Sequence, residues 1–116
     1  AGSAAWRAGE AAEADQLLTA GLAWHDRDAR PKTPGERALW VYKRGQARVS
    51  LNRLADAETD LRAALAQGPA GWVRGRTHLE LGKIADLRGR RADAVEEYGR
   101  ARALCQNNRD PWCVEQ

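Results

Sequence analysis

The sequence predicts an all-α chain whose helices stack as antiparallel hairpins, and three observations predict it. Gly45, Ala57, Leu61 and Ala64 are echoed 37 residues later by Gly82, Ala94, Tyr98 and Ala101. Apolar residues recur at three- and four-residue spacing between short runs rich in Gly, Pro, Asn and Asp, the period of helices that bury one face. Small residues at repeated places mark where two helix backbones approach closely. A unit of two short helices cannot bury its apolar face alone, so such units stack into one curved body.

Ala4 to Arg7 reads as the remnant of a helix, with Gly9 as a turn after it. From Ala11 to about His25, Ala14, Leu17, Leu18, Gly21 and Leu22 form an apolar stripe, with Glu13, Asp15 and Gln16 set off it. Asp26 to Glu36, with Pro31, Pro34 and Gly35, is the clearest loop. Thr33-Pro34-Gly35-Glu36 then has the signature of a helix start: threonine caps, proline suits the first turn, and glutamate returns a hydrogen bond to the cap.

The helix so opened runs to about Leu51 with Leu39, Trp40, Tyr42, Val49 and Leu51, and Gly45 in its middle. A glycine there costs about 1 kcal/mol relative to alanine, and close approach of the partner helix is its structural reason. A second helix from about Leu54 to Gln67 turns Leu54, Ala57, Leu61, Ala64 and Leu65 inward and ends at Gly68-Pro69. Trp72 to Leu87 follows, with Val73, Leu79, Ile84, Ala85 and Leu87 as its apolar set; Gly75 weakens its first turn. After Gly89 the last helix spans about Arg91 to Cys105, with Ala94, Val95, Tyr98, Ala101 and Leu104 inward.

The length of 116 residues suits one domain or a short solenoid, and 43% hydrophobic content supplies a core. The chain reads as soluble: no stretch approaches the roughly 18 to 20 apolar residues that span a bilayer, and the first residues lack the pattern of an export signal. The net charge of +3 comes from 19 basic and 16 acidic residues, with lysine only at 32, 43 and 83. Acids interspersed along every helix read as a salt-bridged surface rather than a polyanion footprint. The arginine-rich, lysine-poor composition is compatible with a bacterium of high genomic GC content.

Cys105 and Cys113 flank a turn-rich loop containing Asn107, Asn108, Asp110 and Pro111. Two readings stand: a disulfide that staples the tail to the last helix in an oxidising compartment, which is favoured, or two unrelated thiols. Neither catalysis nor metal binding finds a motif. His25 and His78 lie 53 residues apart with no nucleophile beside either, and the cysteine spacing fits no zinc knuckle. Asp26 and Asp28 beside His25 lack the ordered spacing of a calcium loop. The expectation is a non-enzyme with no cofactor and no metal.

The chain resembles the tetratricopeptide repeat family, whose units are helix hairpins of about 34 residues. Leu81, Gly82, Gly89, Ala94, Tyr98 and Ala101 fall on signature positions of a unit over 75–108, with His78 and Ala85 departing from the pattern. Gly45, Ala57, Leu61, Ala64 and Pro69 match in a unit over 38–71, where Arg44 and Asn52 depart. Gly2, Gly9, Ala14, Leu18 and Gly21 place a degraded unit over about 1–28, followed by a linker over 26–36. A tail over 106–116 completes a single domain. Trp72 to Arg74, inserted between units, explain the spacing of 37 residues and extend the third unit's first helix.

The resemblance implies a right-handed superhelical solenoid whose first helices line a concave, peptide-binding groove. In that register Leu39, Tyr42, Lys43, Gln46 and Val49, with Arg76, Leu79, Glu80, Lys83 and Asp86, are the groove candidates. Tyr42, Gln46 and Glu80 do not fit the clamp with which one subfamily grips a C-terminal carboxylate. Among the tryptophans, Trp40 is expected in the hairpin core, Trp6 as a cap on the first unit, and Trp112 as a lid held by the cysteines; Trp24 or Trp112 is alternatively a docking residue. The expected function is a protein-interaction or scaffolding module that binds a peptide or partner surface. The alternative is a structural subunit or fragment of a larger repeat assembly or homo-oligomer, and nucleic acid, through Arg88, Arg90 and Arg91, ranks a distant third. The cysteine pair tips the expected location toward an exported or periplasmic one over the cytoplasm.

Overall fold

The computed structural model describes residues 2–111 and 113, with side chains from residue 8 onward, so the expectations for the Trp6 side chain and for Trp112 lie outside what is described. Five helices follow one another: α1 (Gly2–Arg27), α2 (Glu36–Ser50), α3 (Leu54–Ala66), α4 (Gly71–Leu87) and α5 (Arg91–Asn107). Each packs on its chain neighbour, and α4 also touches α2, giving an all-α bundle held by mostly local helix–helix packing.

Small residues set how closely the helices meet. Ala57, Ala64 and Ala94 are fully buried and Ala101 nearly so, as their spacing predicts. A methyl group on Gly45 would lie 2.9 Å from the Leu61 side chain, and one on Gly82 2.5 Å from the Tyr98 ring, so both glycines mark backbone-to-side-chain contact across a hairpin. Gly75 does the same work against Cys105, whose Sγ would stand 2.7 Å from an added Cβ. The glycine that the sequence marks as a weak point of α4 is therefore also a point of close contact with α5.

The hairpin turns repeat with the same period. Asn52 and Gly89, 37 residues apart, both adopt left-handed backbone, and the next amide in each case bonds back five residues, Arg53 to Arg48 and Arg90 to Ala85. That is the Schellman stop, in which a left-handed residue lets orphan carbonyls find donors. At the start of α2, Gly35 takes the N-cap position with φ 82° and no side-chain cap, which corrects the expected threonine cap. Thr33 contributes its backbone carbonyl instead, accepting from Glu36.

Three further expectations are corrected. The helix α1 runs unbroken through Gly9, where alanine-rich surroundings sustain it; open space around Gly9 removes any steric reason to turn. Its buried stripe is Ala11, Asp15, Leu22 and His25, with Leu18 half-buried, while Leu17 is 65% exposed. Leu87 and Val95 also face water. Asp15 can go inside because Arg48 (3.1 Å) and Arg53 (2.7 Å) meet its carboxylate. Arg48 continues to Asp60 (3.0 Å), which Arg44 grips with two bonds of 2.8 and 2.9 Å. This buried ionic chain ties α1, α2 and α3 together, and it satisfies the rule that buried charges must be paired.

The main apolar core gathers Leu22, Val41, Tyr42, Leu61, Val73, Leu81 and Ile84 around the hairpin alanines. Trp40 packs against it, with His25 edge-on to its ring at 5.2 Å. A second core joins Leu79, Ala101, Cys105 and Cys113. The two cysteines are at disulfide distance and joined, with Cα atoms 5.7 Å apart.

Candidate interaction cleft

Because α1 and α4 both pack on α2 without touching each other among the described residues, they stand as two walls with α2 as the floor between them. The space enclosed is a cleft of about 650 Å³. Five of the ten candidate residues line it: Lys43, Gln46 and Val49 from α2, and Glu80 and Lys83 from α4. The opposite wall is Glu10, Ala11, Ala14 and Leu18 of α1. The α1 wall is thus apolar at Ala11, Ala14 and Leu18 with the exposed Glu10 at one end, and the α4 wall is charged.

Two lysines and two glutamates share this space in different ways. Glu80 is 2% exposed and accepts from Lys83 at 3.2 Å, so its charge is compensated within α4. Lys43 is exposed, and no acid lies within ion-pair distance of it among the described residues. Tyr42, one turn before Gln46, is buried with its hydroxyl in the field of Glu80, Arg76 and Asp110 and no well-aligned hydrogen bond. Burial first, and the Glu80 charge second, push this phenol up to about 12.

The other candidates sit elsewhere. Leu39 lines a second cleft of about 300 Å³ with Pro34, Trp72 and Val73 at the N-terminal ends of α2 and α4. Arg76 grips Asp110 through bonds of 2.7 and 3.0 Å while its guanidinium lies over the Trp72 ring at 5.2 Å. Leu79 is buried in the second core. Asp86, at the end of α4, accepts from Arg91 (2.9 Å) and the Tyr98 hydroxyl (2.9 Å), and these hold its carboxyl below the usual range.

The α1 wall was missed as part of a site. Sequence reading placed Ala14 and Leu18 in a core stripe, which they are, but hydropathy carries no signal for which helix stands opposite. Other polar features lie outside the cleft. His78 Nδ1 is 2.7 Å from Glu97 Oε2, a link between α4 and α5. Arg88 pairs with Glu58 (2.6 Å) and Arg91 with Asp86, so much of the densest basic run is neutralised by neighbours. Cys105, Asp110 and Cys113 bring potential metal-ligand atoms within 4.8 Å of one another. With the sulfurs joined and Asp110 bound to Arg76, no thiolate remains to act as a ligand there. No helix among the described residues is long and apolar enough to cross a membrane.

Comparison with protein-family models, with curated proteins and with solved structures gave no match.

Proposed function

We propose that the protein is an interaction module that takes a peptide or a segment of a partner protein into the cleft between α1, α2 and α4. The observation that carries this reading is the convergence of Lys43, Gln46, Val49, Glu80 and Lys83 on one cleft, opposite a wall of Ala11, Ala14 and Leu18 that Glu10 borders. A strip of apolar surface bordered by a few charged groups suits an elongated ligand with alternating character, the pattern of groove recognition. Supporting the same reading, the repeated glycines, alanines and left-handed turns agree with a tetratricopeptide-type arrangement in which such a cleft is the concave face. The cysteine pair at disulfide distance favours an oxidising, exported setting for this binding.

The test is selection from a displayed peptide library, followed by calorimetry of the enriched peptides. Binding is expected to weaken at least about tenfold in a Lys43→Glu, Lys83→Glu double variant and to survive Arg102→Glu on the far helix. Peptides that bind both variants equally, or a library that yields none, would refute the cleft as the binding site.

A further inference from the structure

The outer face of α1 carries an unpartnered seam with an unusual property. Its inner stripe, Ala11, Asp15, Leu18, Leu22 and His25, is pressed against the rest of the bundle or half-buried. Shifted by two residues, about 200° around the helix, lie Glu13, Leu17, Ala20, Trp24 and Arg27, at alternating spacings of four and three. That is the spacing of a helix–helix seam. All five are exposed, with Leu17 at 65% and Trp24 at 54%, the most exposed large apolar side chain and the most exposed described tryptophan. Glu13 and Arg27 have no ion-pair partner among the described residues, although ion pairs elsewhere on this chain are frequent.

The seam is a palindrome in chemical character. Centred on the small residue Ala20, it reads acid, apolar, small, apolar, base. Laid antiparallel on itself about Ala20, Leu17 of one copy meets Trp24 of the other, and Glu13 meets Arg27, with each contact made twice. A two-fold interface requires this self-complementarity, in which residue i meets j and j meets i. A parallel pairing would set Glu13 against Glu13 and Arg27 against Arg27. The Arg30 guanidinium, held by Asp28, lies over the Trp24 ring at 5.6 Å, and Trp24 keeps more than half of its surface exposed.

We propose that two copies of this chain associate through antiparallel contact of their α1 outer faces, centred on Ala20. The seam spans four turns, so the interface is at the small end for specific association and the dimer is in the micromolar range. The α1 residues that line the cleft, Glu10, Ala11, Ala14 and Leu18, are none of the seam's five, so the dimer contact consumes no cleft residue. Two clefts on one particle raise the avidity for a partner that presents its segment more than once.

Sedimentation equilibrium over a range from low to high micromolar is expected to move from the 12.8 kDa monomer toward twice that mass. Glu13→Arg and Arg27→Glu each turn two attractions into two repulsions and are expected to raise the dissociation constant about tenfold. The double variant, which restores both pairs in the antiparallel arrangement only, is expected to return within about threefold of the original. All these positions are exposed, and an unchanged far-ultraviolet dichroism spectrum confirms that the variants fold. A chain that stays monomeric at high micromolar concentration overturns the proposal and leaves the seam to a different protein. A dimer indifferent to Leu17→Asp, or charge variants without rescue, overturns it equally, because the contact then lies on another face.

Discussion

Glycine-to-alanine substitution discriminates sharply between positions in this fold, because two opposing effects are separable by geometry. In a helix interior alanine is favoured over glycine by about 1 kcal/mol. At Gly99 an added Cβ meets nothing within 4 Å, so Gly99→Ala is expected to gain about 0.5 to 1 kcal/mol. At Gly45 the same methyl would stand 2.9 Å from two carbons of Leu61 and 3.3 Å from the Asp60 Cβ. Leu61 is fully buried among the hairpin alanines, and Asp60 is fixed by Arg44 and Arg48, so neither retreats freely. Overpacking of this kind costs about 1 to 3 kcal/mol, so the propensity gain is cancelled and Gly45→Ala is destabilised by up to about 2 kcal/mol. At Gly75 the obstacle includes the Cys105 backbone nitrogen at 3.3 Å as well as its sulfur, and Gly75→Ala is expected to lose at least as much. Urea unfolding followed by circular dichroism gives the three values in one series. If Gly45→Ala and Gly75→Ala were as stable as Gly99→Ala, the close helix approach on which the hairpin reading depends would be refuted.

Other expectations follow from named contacts. Asp60→Ala strands Arg44, whose side chain is only 20% exposed, and leaves Arg48 with Asp15 as its one acid partner, and is expected to cost roughly 3 kcal/mol in denaturant unfolding; a loss within experimental error would show the ionic chain to be dispensable. Both tyrosines are pushed up to about 12, Tyr42 by burial and then Glu80, Tyr98 by burial and then its bond to Asp86. Raised folded values favour the neutral phenol, so this stabilisation is complete below the ordinary 10 and fades as pH rises through about 12. Phenolate absorbance should therefore stay flat through pH 10 in the folded chain, and a step there would refute the burial of Tyr42 or the shielding of the half-buried Tyr98 by its bond to Asp86. Reduction of Cys105–Cys113 removes a loop constraint worth roughly 2 to 3 kcal/mol and should lower the urea midpoint accordingly; free alkylation of both thiols in the unreduced, folded chain would contradict the bridge.

What the sequence disclosed was the part of the fold encoded locally. Gly45, Gly82 and the alanines at 57, 64, 94 and 101 announced the hairpins because small residues at helical spacing have few other uses. Asp15 and Leu17 were exchanged between faces because residue hydropathy ranks aspartate outward and leucine inward. The decision was made by Arg48 and Arg53, 33 and 38 residues away, which supply the charge that lets a carboxylate go inside. Gly9 misled for a related reason: a glycine reads as a turn only when its neighbours do not already favour helix, and Ala8, Ala11 and Ala12 do. Half of the candidate cleft was legible from α2 and α4. Its α1 wall was not, since the separation of α1 from α4 depends on how both lean on α2.

The division of labour between the two kinds of cation supports placing the binding site in this cleft. Arginine does the structural work. Arg44, Arg48 and Arg53 hold buried acids, Arg76 anchors Asp110, and Arg37 reaches back to Asp26 and depresses its carboxyl to about 2. A planar fork that takes a carboxylate with two bonds fixes geometry, and fixed geometry is what helix packing needs. Lysine presents a mobile point charge on a flexible stem, poorly suited to that task but able to follow a ligand's charge across a surface. Of the three lysines, Lys32 lies in the loop before α2, and Lys43 and Lys83 both line the cleft. Were the cleft only a gap left by packing, the arginine that braces every other helix junction would be expected at its rim as well.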